Sequence, residues 1–227
     1  MEYYELTITV YLKKDIALNR VGETLGQMLK SSMKFEKHLS ELHASKGVKL
    51  YGYDYLYPRA VKGIYSQGHL YVFKLRTPIK ETALTFMKTL DQHENDAIKV
   101  VAKQMKQKQF NLKTELYTST PVVCTLGSRY WKKEEGIAII QEKMEKNLVT
   151  KYNAFYGCLP EKQEGFLNYL EIKNDKPITI KYKSGSLVGN KFLVGFTADD
   201  VSLKMAYLAY STSLLEKSSS LGTGFCI

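Results

Sequence analysis

The stretch Tyr4-Glu5-Leu6-Thr7-Ile8-Thr9-Val10-Tyr11-Leu12 decides the fold. It is rich in β-branched and aromatic residues, and Leu6, Ile8 and Val10 share one face at period two, so it reads as a half-buried strand. From Val21 the period changes. Val21, Leu25, Met28 and Leu29 make a helical stripe, and a second helical stretch carries Phe35, Leu39 and Leu42 up to Gly47. Lys49 to Tyr57 is extended and tyrosine-dense, and Pro58 closes it. Gln67-Gly68 turns the chain into the strand His69 to Leu75. Thr77-Pro78 predicts a cap before a helix whose face is Ile79, Ala83, Phe86, Met87 and Leu90. Ala97 to Met105 is again extended. The order strand, helix, strand, strand, helix, strand is the ferredoxin-like split βαβ unit.

Working outward, the basic stretch with Lys103, Lys106, Lys108 and Lys113 reads as a linker. The pattern then restarts. Leu116 to Thr125 is a strand, with Pro121 pointing to an edge or a bulge. Ile137, Ile140, Met144 and Leu148 form a helical stripe. Phe166 to Ile172, Pro177 to Lys183 and Asn190 to Phe196 are extended. Asp199 or Asp200 caps a helix carrying Val201, Met205, Leu208 and Ala209, and Leu221 to Ile227 closes as a short strand. The expectation is an α+β protein of two tandem ferredoxin-like (RRM-like) βαββαβ domains, residues 1–108 and 114–227.

The chain has 227 residues, enough for two such domains, and 44% apolar residues, ordinary for a globular core. No apolar run reaches the ~18 residues of a membrane span, and the acidic start Met1-Glu2-Tyr3-Tyr4-Glu5 is unlike a secretory signal. Lys and Arg exceed Asp and Glu by ten, so a polyanion is the expected partner. Seventeen tyrosines offer π-faces to bases, though about half are expected in strands for packing alone. Cys124, Cys158 and Cys226 are odd in number and widely spaced. They form neither a disulfide framework nor a zinc pair, and read as small buried hydrophobes of a reducing cytoplasm.

Four histidines occur: His38, His43, His69 and His93. His38 and His43 flank the Phe35/Leu39/Leu42 stripe beside Lys46 and Lys49, and periodicity does not choose between them. A histidine near lysines has its proton affinity lowered by like charge, which keeps it fit for proton transfer. A solvated basic helix end is the competing reading, and on these residues alone it is favoured. The tail Ser211 to Phe225 is small and hydroxyl-rich, and could fold as an anion nest or as a plain Ser/Gly loop. It is no P-loop, and no metalloprotease, EF-hand or nucleophile-elbow pattern occurs.

Two segments carry a family likeness. Leu42-His43-Ala44-Ser45-Lys46-Gly47-Val48-Lys49-Leu50-Tyr51 resembles the helix-to-strand turn of the CRISPR-associated endoribonucleases that cut repeat RNA. Glu216-Lys217-Ser218-Ser219-Ser220-Leu221-Gly222-Thr223-Gly224-Phe225 resembles the glycine-rich loop of their wider RAMP superfamily, whose members commonly hold two ferredoxin-like domains. The resemblance implies His43 as acid/base catalyst and Lys49 as the charge-stabilising lysine. It implies RNA contacts at Lys46, Lys217, Ser218, Ser219, Ser220, Gly222 and Gly224. It further implies cleavage by the RNA's own 2′-OH with no metal or cofactor, leaving a 5′-hydroxyl and a 2′,3′-cyclic phosphate. The implied partner is CRISPR repeat RNA, with other effector subunits or a second copy of the chain as further partners. A non-catalytic RAMP subunit that only holds RNA is the alternative. Two departures stand out: Gln27-Met28 lies where some members carry a catalytic tyrosine, and the loop's first glycine pair is replaced around Ser213 and Leu215.

Overall fold

The computed structural model describes residues 1–36, 47–92, 95–158 and 164–227. The strands are β1 Glu2–Leu12, β2 Ile16–Ala17, β3 Gly52–Tyr53, β4 Ile64–Tyr65, β5 Leu70–Thr77, β6 Ile98–Gln109 and β7 Glu115–Tyr117. They continue with β8 Val122–Val123, β9 Thr125–Leu126, β10 Arg129–Tyr130, β11 Leu167–Ile172, β12 Ile178–Tyr182, β13 Gly185–Asn190 and β14 Phe192–Phe196. The helices are α1 Val21–Met33, α2 Lys80–Thr89, α3 Ile137–Tyr156, α4 Asp200–Thr212 and the single turn α5 Ser218–Leu221.

In the N-terminal half an antiparallel sheet runs in the order β3-β5-β1-β6. The period-two face of β1 decides which side is covered: Leu6, Ile8 and Val10 are fully buried with Leu25 and Leu29 of α1 and Phe86 of α2. The four stripe residues Val21, Leu25, Met28 and Leu29 are all buried. Thr77 does not cap α2 directly. Its hydroxyl accepts from the Ile79 N–H at 3.1 Å and donates to the Leu50 carbonyl at 2.7 Å, and the helix begins at Lys80.

The expected linker is corrected by β6. Paired with β1 as far as Glu2↔Gln109, it takes Lys103, Lys106 and Lys108 into the sheet, and only 110–114 separate it from β7. Lysines suit this place because β6 is an edge strand. Lys103 and Lys108 are half-buried and Lys106 is exposed, and charge on such a strand discourages pairing at its open edge.

In the C-terminal half β11-β14-β7 form an antiparallel sheet. The tail pairs beside β7, with Tyr117 N–H donating to Ile227 O at 3.1 Å and Ile227 N–H to Tyr117 O at 2.8 Å. Helices α3 and α4 supply Ile140, Met144, Leu148, Met205 and Leu208 to this core. Asp199 caps α4 by accepting from the Ser202 N–H at 3.0 Å. The expected strand Leu116–Thr125 is broken into β7, β8 and β9, and Pro121, which has no N–H, sits in the break. β8 joins the hairpin β12–β13 in a separate three-stranded sheet. The expected closing strand begins later than Leu221. That residue ends α5, and strand-like pairing returns at the Thr118–Cys226 bridge. Among the described residues no helix is long and apolar enough to cross a membrane.

Arg76 of β5 ties the halves together. Its side chain is 3% exposed. Nε donates to Glu5 Oε2 at 2.8 Å and Nη1 to the Cys226 carbonyl at 2.7 Å, while the guanidinium lies 4.0 Å from the Tyr210 ring centre and 4.4 Å from that of Phe225. Burial pushes the Glu5 carboxyl up, but Arg76, Lys108 and Lys74 outweigh it and hold the group below its ordinary value.

Candidate nucleic-acid interface

Two glycines on α1 position the site. Gly22 and Gly26 stand four apart on one helix face, where a glycine costs about 1 kcal/mol relative to alanine. A Cβ on Gly22 would lie 2.2 Å from the Leu221 carbonyl oxygen, and one on Gly26 would lie 2.0 Å from that of Ser220. The bare face of α1 therefore admits the backbone of α5, which no side chain would allow. Tyr53 Oη donates to the Gly22 carbonyl at 2.9 Å, and Tyr51 Oη to the Ser219 carbonyl at 3.3 Å. From the far side the hairpin tip closes in, where the Lys183 N–H donates to Glu23 Oε1 at 2.7 Å.

The result is a cleft of about 290 Å³ lined by Glu23, Gly26, Gln27, Lys30, Met33, Lys49, Tyr51, Tyr182, Lys183, Ser219 and Ser220. Lys217 stands exposed beside it, its ammonium 5.5 Å from the Tyr182 ring centre; Lys183 lies 5.4 Å from the same centre. Partial burial lowers the Lys49 pKa. Four lysines and one glutamate at an open cleft make an anion site, and hydroxyls at Ser219 and Ser220 add donors suited to phosphate oxygens.

The residues expected from sequence fall into three groups. Lys49, Ser219 and Ser220 line the one cleft, and Lys217 flanks it. Ser218, Gly222 and Gly224 are buried. At φ +63° and +69° the two glycines bend the chain, Gly222 against Tyr53 and Gly224 against Leu214, so their part is in the path of the loop. His43 and Lys46, like His38, lie outside the described residues. Trp131 is a core residue whose Nε1 donates to the Gly136 carbonyl at 3.0 Å, and Arg129 pairs with Glu135. Lys103 pairs with Asp91, and Lys108 with Glu5 at 2.6 Å. Lys30, Tyr182 and Lys183 were not singled out from sequence. The paired glycines of α1 were the available signal, since two helix-weakening residues four apart announce a close approach.

A second cavity of about 400 Å³ opens between the halves, with Asp54, Tyr57, Arg59, Ser119 and Lys191 among its walls. Burial pushes the Asp54 carboxyl up to about 7, although the Lys74 N–H donates to it at 2.6 Å. Among the described residues no three His, Cys, Asp or Glu side chains cluster as a metal site would need.

Solved structures share this fold over nearly the whole chain. A RAMP protein that binds different RNA substrates superposes with a TM-score of 0.74 at 15% identity, covering 98% of both chains. The fold is that of the Cas6 and RAMP proteins. A CRISPR-associated protein Cas6 matches at a TM-score of 0.72 and the product of a Cas6-related gene from Pyrococcus furiosus at 0.71, each 15% identical over 99% of this chain and 98% of theirs. No family model and no curated protein matches the sequence. Within this Cas6-like fold, the basic cleft lies where α1, the chain after Gly47 and the C-terminal turn meet.

Proposed function

We propose that the chain is a metal-independent endoribonuclease that cuts CRISPR repeat RNA, built from two tandem ferredoxin-like domains at residues 1–108 and 114–227. The orders β3-β5-β1-β6 and β11-β14-β7-tail, each packed with two helices, support that domain reading. The observation that carries the function is the meeting of Lys49 with Ser219 and Ser220 in one cationic cleft, two segments 170 residues apart in a Cas6-like fold.

RNA supplies its own nucleophile. The 2′-oxygen attacks the adjacent phosphorus in line, the bond from phosphorus to the 5′-oxygen breaks, and the proton lost at the 2′-OH is matched by one gained at the leaving oxygen. His43 carries one of these transfers, a role typically worth 10²–10⁴-fold. Lys49 faces the non-bridging oxygens, where its charge stabilises the phosphorane. Lys217, Ser219 and Ser220 hold the flanking phosphate.

The test is cleavage of repeat RNA in excess EDTA. Wild type should cut and leave a 2′,3′-cyclic phosphate, while His43→Ala should lose at least about 100-fold in rate. A single 2′-deoxy substitution at the scissile nucleotide should abolish cutting and leave affinity unchanged. If wild type binds the RNA but never cuts it, the chain is a RAMP-type RNA-holding subunit. If EDTA stops the wild type, the metal-free chemistry is wrong.

A further inference from the structure

Helix α3 places a lysine where a hydrocarbon side chain would fit the core. Lys151 is 1% exposed, and its Nζ donates to the carbonyls of Thr212, at 3.3 Å, and Ser213. These are the last carbonyl of α4 and that of the residue after it, which no intrahelical N–H satisfies. One helical turn earlier, Asn147 Oδ1 accepts from the Leu215 N–H at 3.2 Å. Beyond this point the chain bends sharply: Ser213, Leu215 and Lys217 have φ of +68°, +55° and +63°, a region that non-glycine residues enter only when held. The same α3 face thus grips the first residues of the segment that presents Lys217, Ser219 and Ser220. A buried ammonium is costly, and methionine would fill the volume without that cost. Nothing in the proposed chemistry uses it.

We infer that Lys151 is a positioning residue that sets the path of the C-terminal loop, and thereby how firmly Lys217, Ser219 and Ser220 hold an RNA phosphate. The inference rests on the RNA reading above for its last step only. Burial lowers the Lys151 pKa to about 7. The titratable group beside it, from the tail, is Cys226, a thiol pushed up to about 12 by burial, and Arg76 reaches that residue through its carbonyl. An opened loop would return Lys151 to its ordinary value near 10.5. Between pH 7 and 10.5 the opened form therefore binds the extra proton, so the closed loop gains as pH rises through that window.

The experiment measures affinity for a 2′-deoxy-blocked repeat RNA with wild type, Lys151→Met, Ser219→Ala/Ser220→Ala and the triple variant. Lys151→Met should weaken binding about tenfold, because it orphans two buried carbonyls. It should cost clearly less in the double-alanine background, where only Lys217 is left for the loop to misplace. Additive losses, or unchanged affinity in a folded Lys151→Met, would overturn the inference. A second measurement needs no substitution: hydrogen exchange of the 213–222 amides in wild type, corrected for intrinsic rate. Protection should rise at least about tenfold from pH 7 to 9.5. Flat protection refutes the role of Lys151, whereas wild type that fails to bind RNA refutes the RNA reading alone.

Discussion

Replacing Gly26 by alanine should separate the stability of the fold from its grip on RNA. The added methyl would lie 2.0 Å from the Ser220 carbonyl oxygen and 2.7 Å from Tyr53 Oη. Ordinary contact begins at 3.4 Å, so α5 must move by about 1.4 Å or α1 must bend away. Helix propensity favours alanine by about 1 kcal/mol. Overpacking against backbone costs about 1–3 kcal/mol. The net loss is then about 0–2 kcal/mol, a fall of up to roughly 8 °C in Tm for a chain of this size. RNA affinity should drop further, about tenfold or more, because Ser219 and Ser220 leave the cleft and each hydrogen bond to a charged phosphate is worth about 1.5–3 kcal/mol. Calorimetry and fluorescence anisotropy with a 2′-deoxy-blocked repeat oligonucleotide measure the two effects separately. A variant that melts with the wild type and binds within twofold of it would refute the view that the α1–α5 approach positions the serines.

Asp54→Asn should stabilise the protein at pH 8 and leave it unchanged at pH 4. The folded carboxyl titrates near 7 and the unfolded one near 3.8, so stability is lost as pH rises through that window. Asparagine keeps the acceptor for Lys74 N–H without the charge, and the difference at pH 8 should be about 4 kcal/mol by urea unfolding. Arg76→Met strands the buried Glu5 carboxylate and should cost about 3 kcal/mol in the same assay; a loss below about 1 kcal/mol would mean that Lys74 and Lys108 suffice as partners. Log affinity for single-stranded RNA should fall with log salt at a slope of about −2 to −3, and Lys217→Ala should flatten that slope by about 0.7. A slope near zero would deny phosphate contact.

Much of the N-terminal half was legible because its signals are local. The alternation of β1 and the stripe of α1 each state which face is buried, and both faces meet in one core. The β6 lysines misled because composition speaks of a linker while pairing with β1 depends on partners 100 residues away. The tail was legible as an unusual segment but not as a turn of helix. Its path follows from contacts with Tyr53, Thr120 and Lys151, none near it in sequence. The cleft was half legible: Lys49, Lys217 and the serines announce themselves by chemistry. Lys30, Tyr182 and Lys183 look like ordinary surface residues until folding brings the hairpin against α1.

The Arg76 guanidinium belongs to neither half alone. Its carboxylate partner is on β1, its aromatic walls are on α4 and in the tail, and its carbonyl acceptor is two residues from Gly224. Splitting the chain between 109 and 115 would leave one piece with an unshielded cation–carboxylate pair and the other with an empty aromatic slot. The junction is thus shared, and a substitution at Arg76 or its aromatic walls is felt on both sides of it at once.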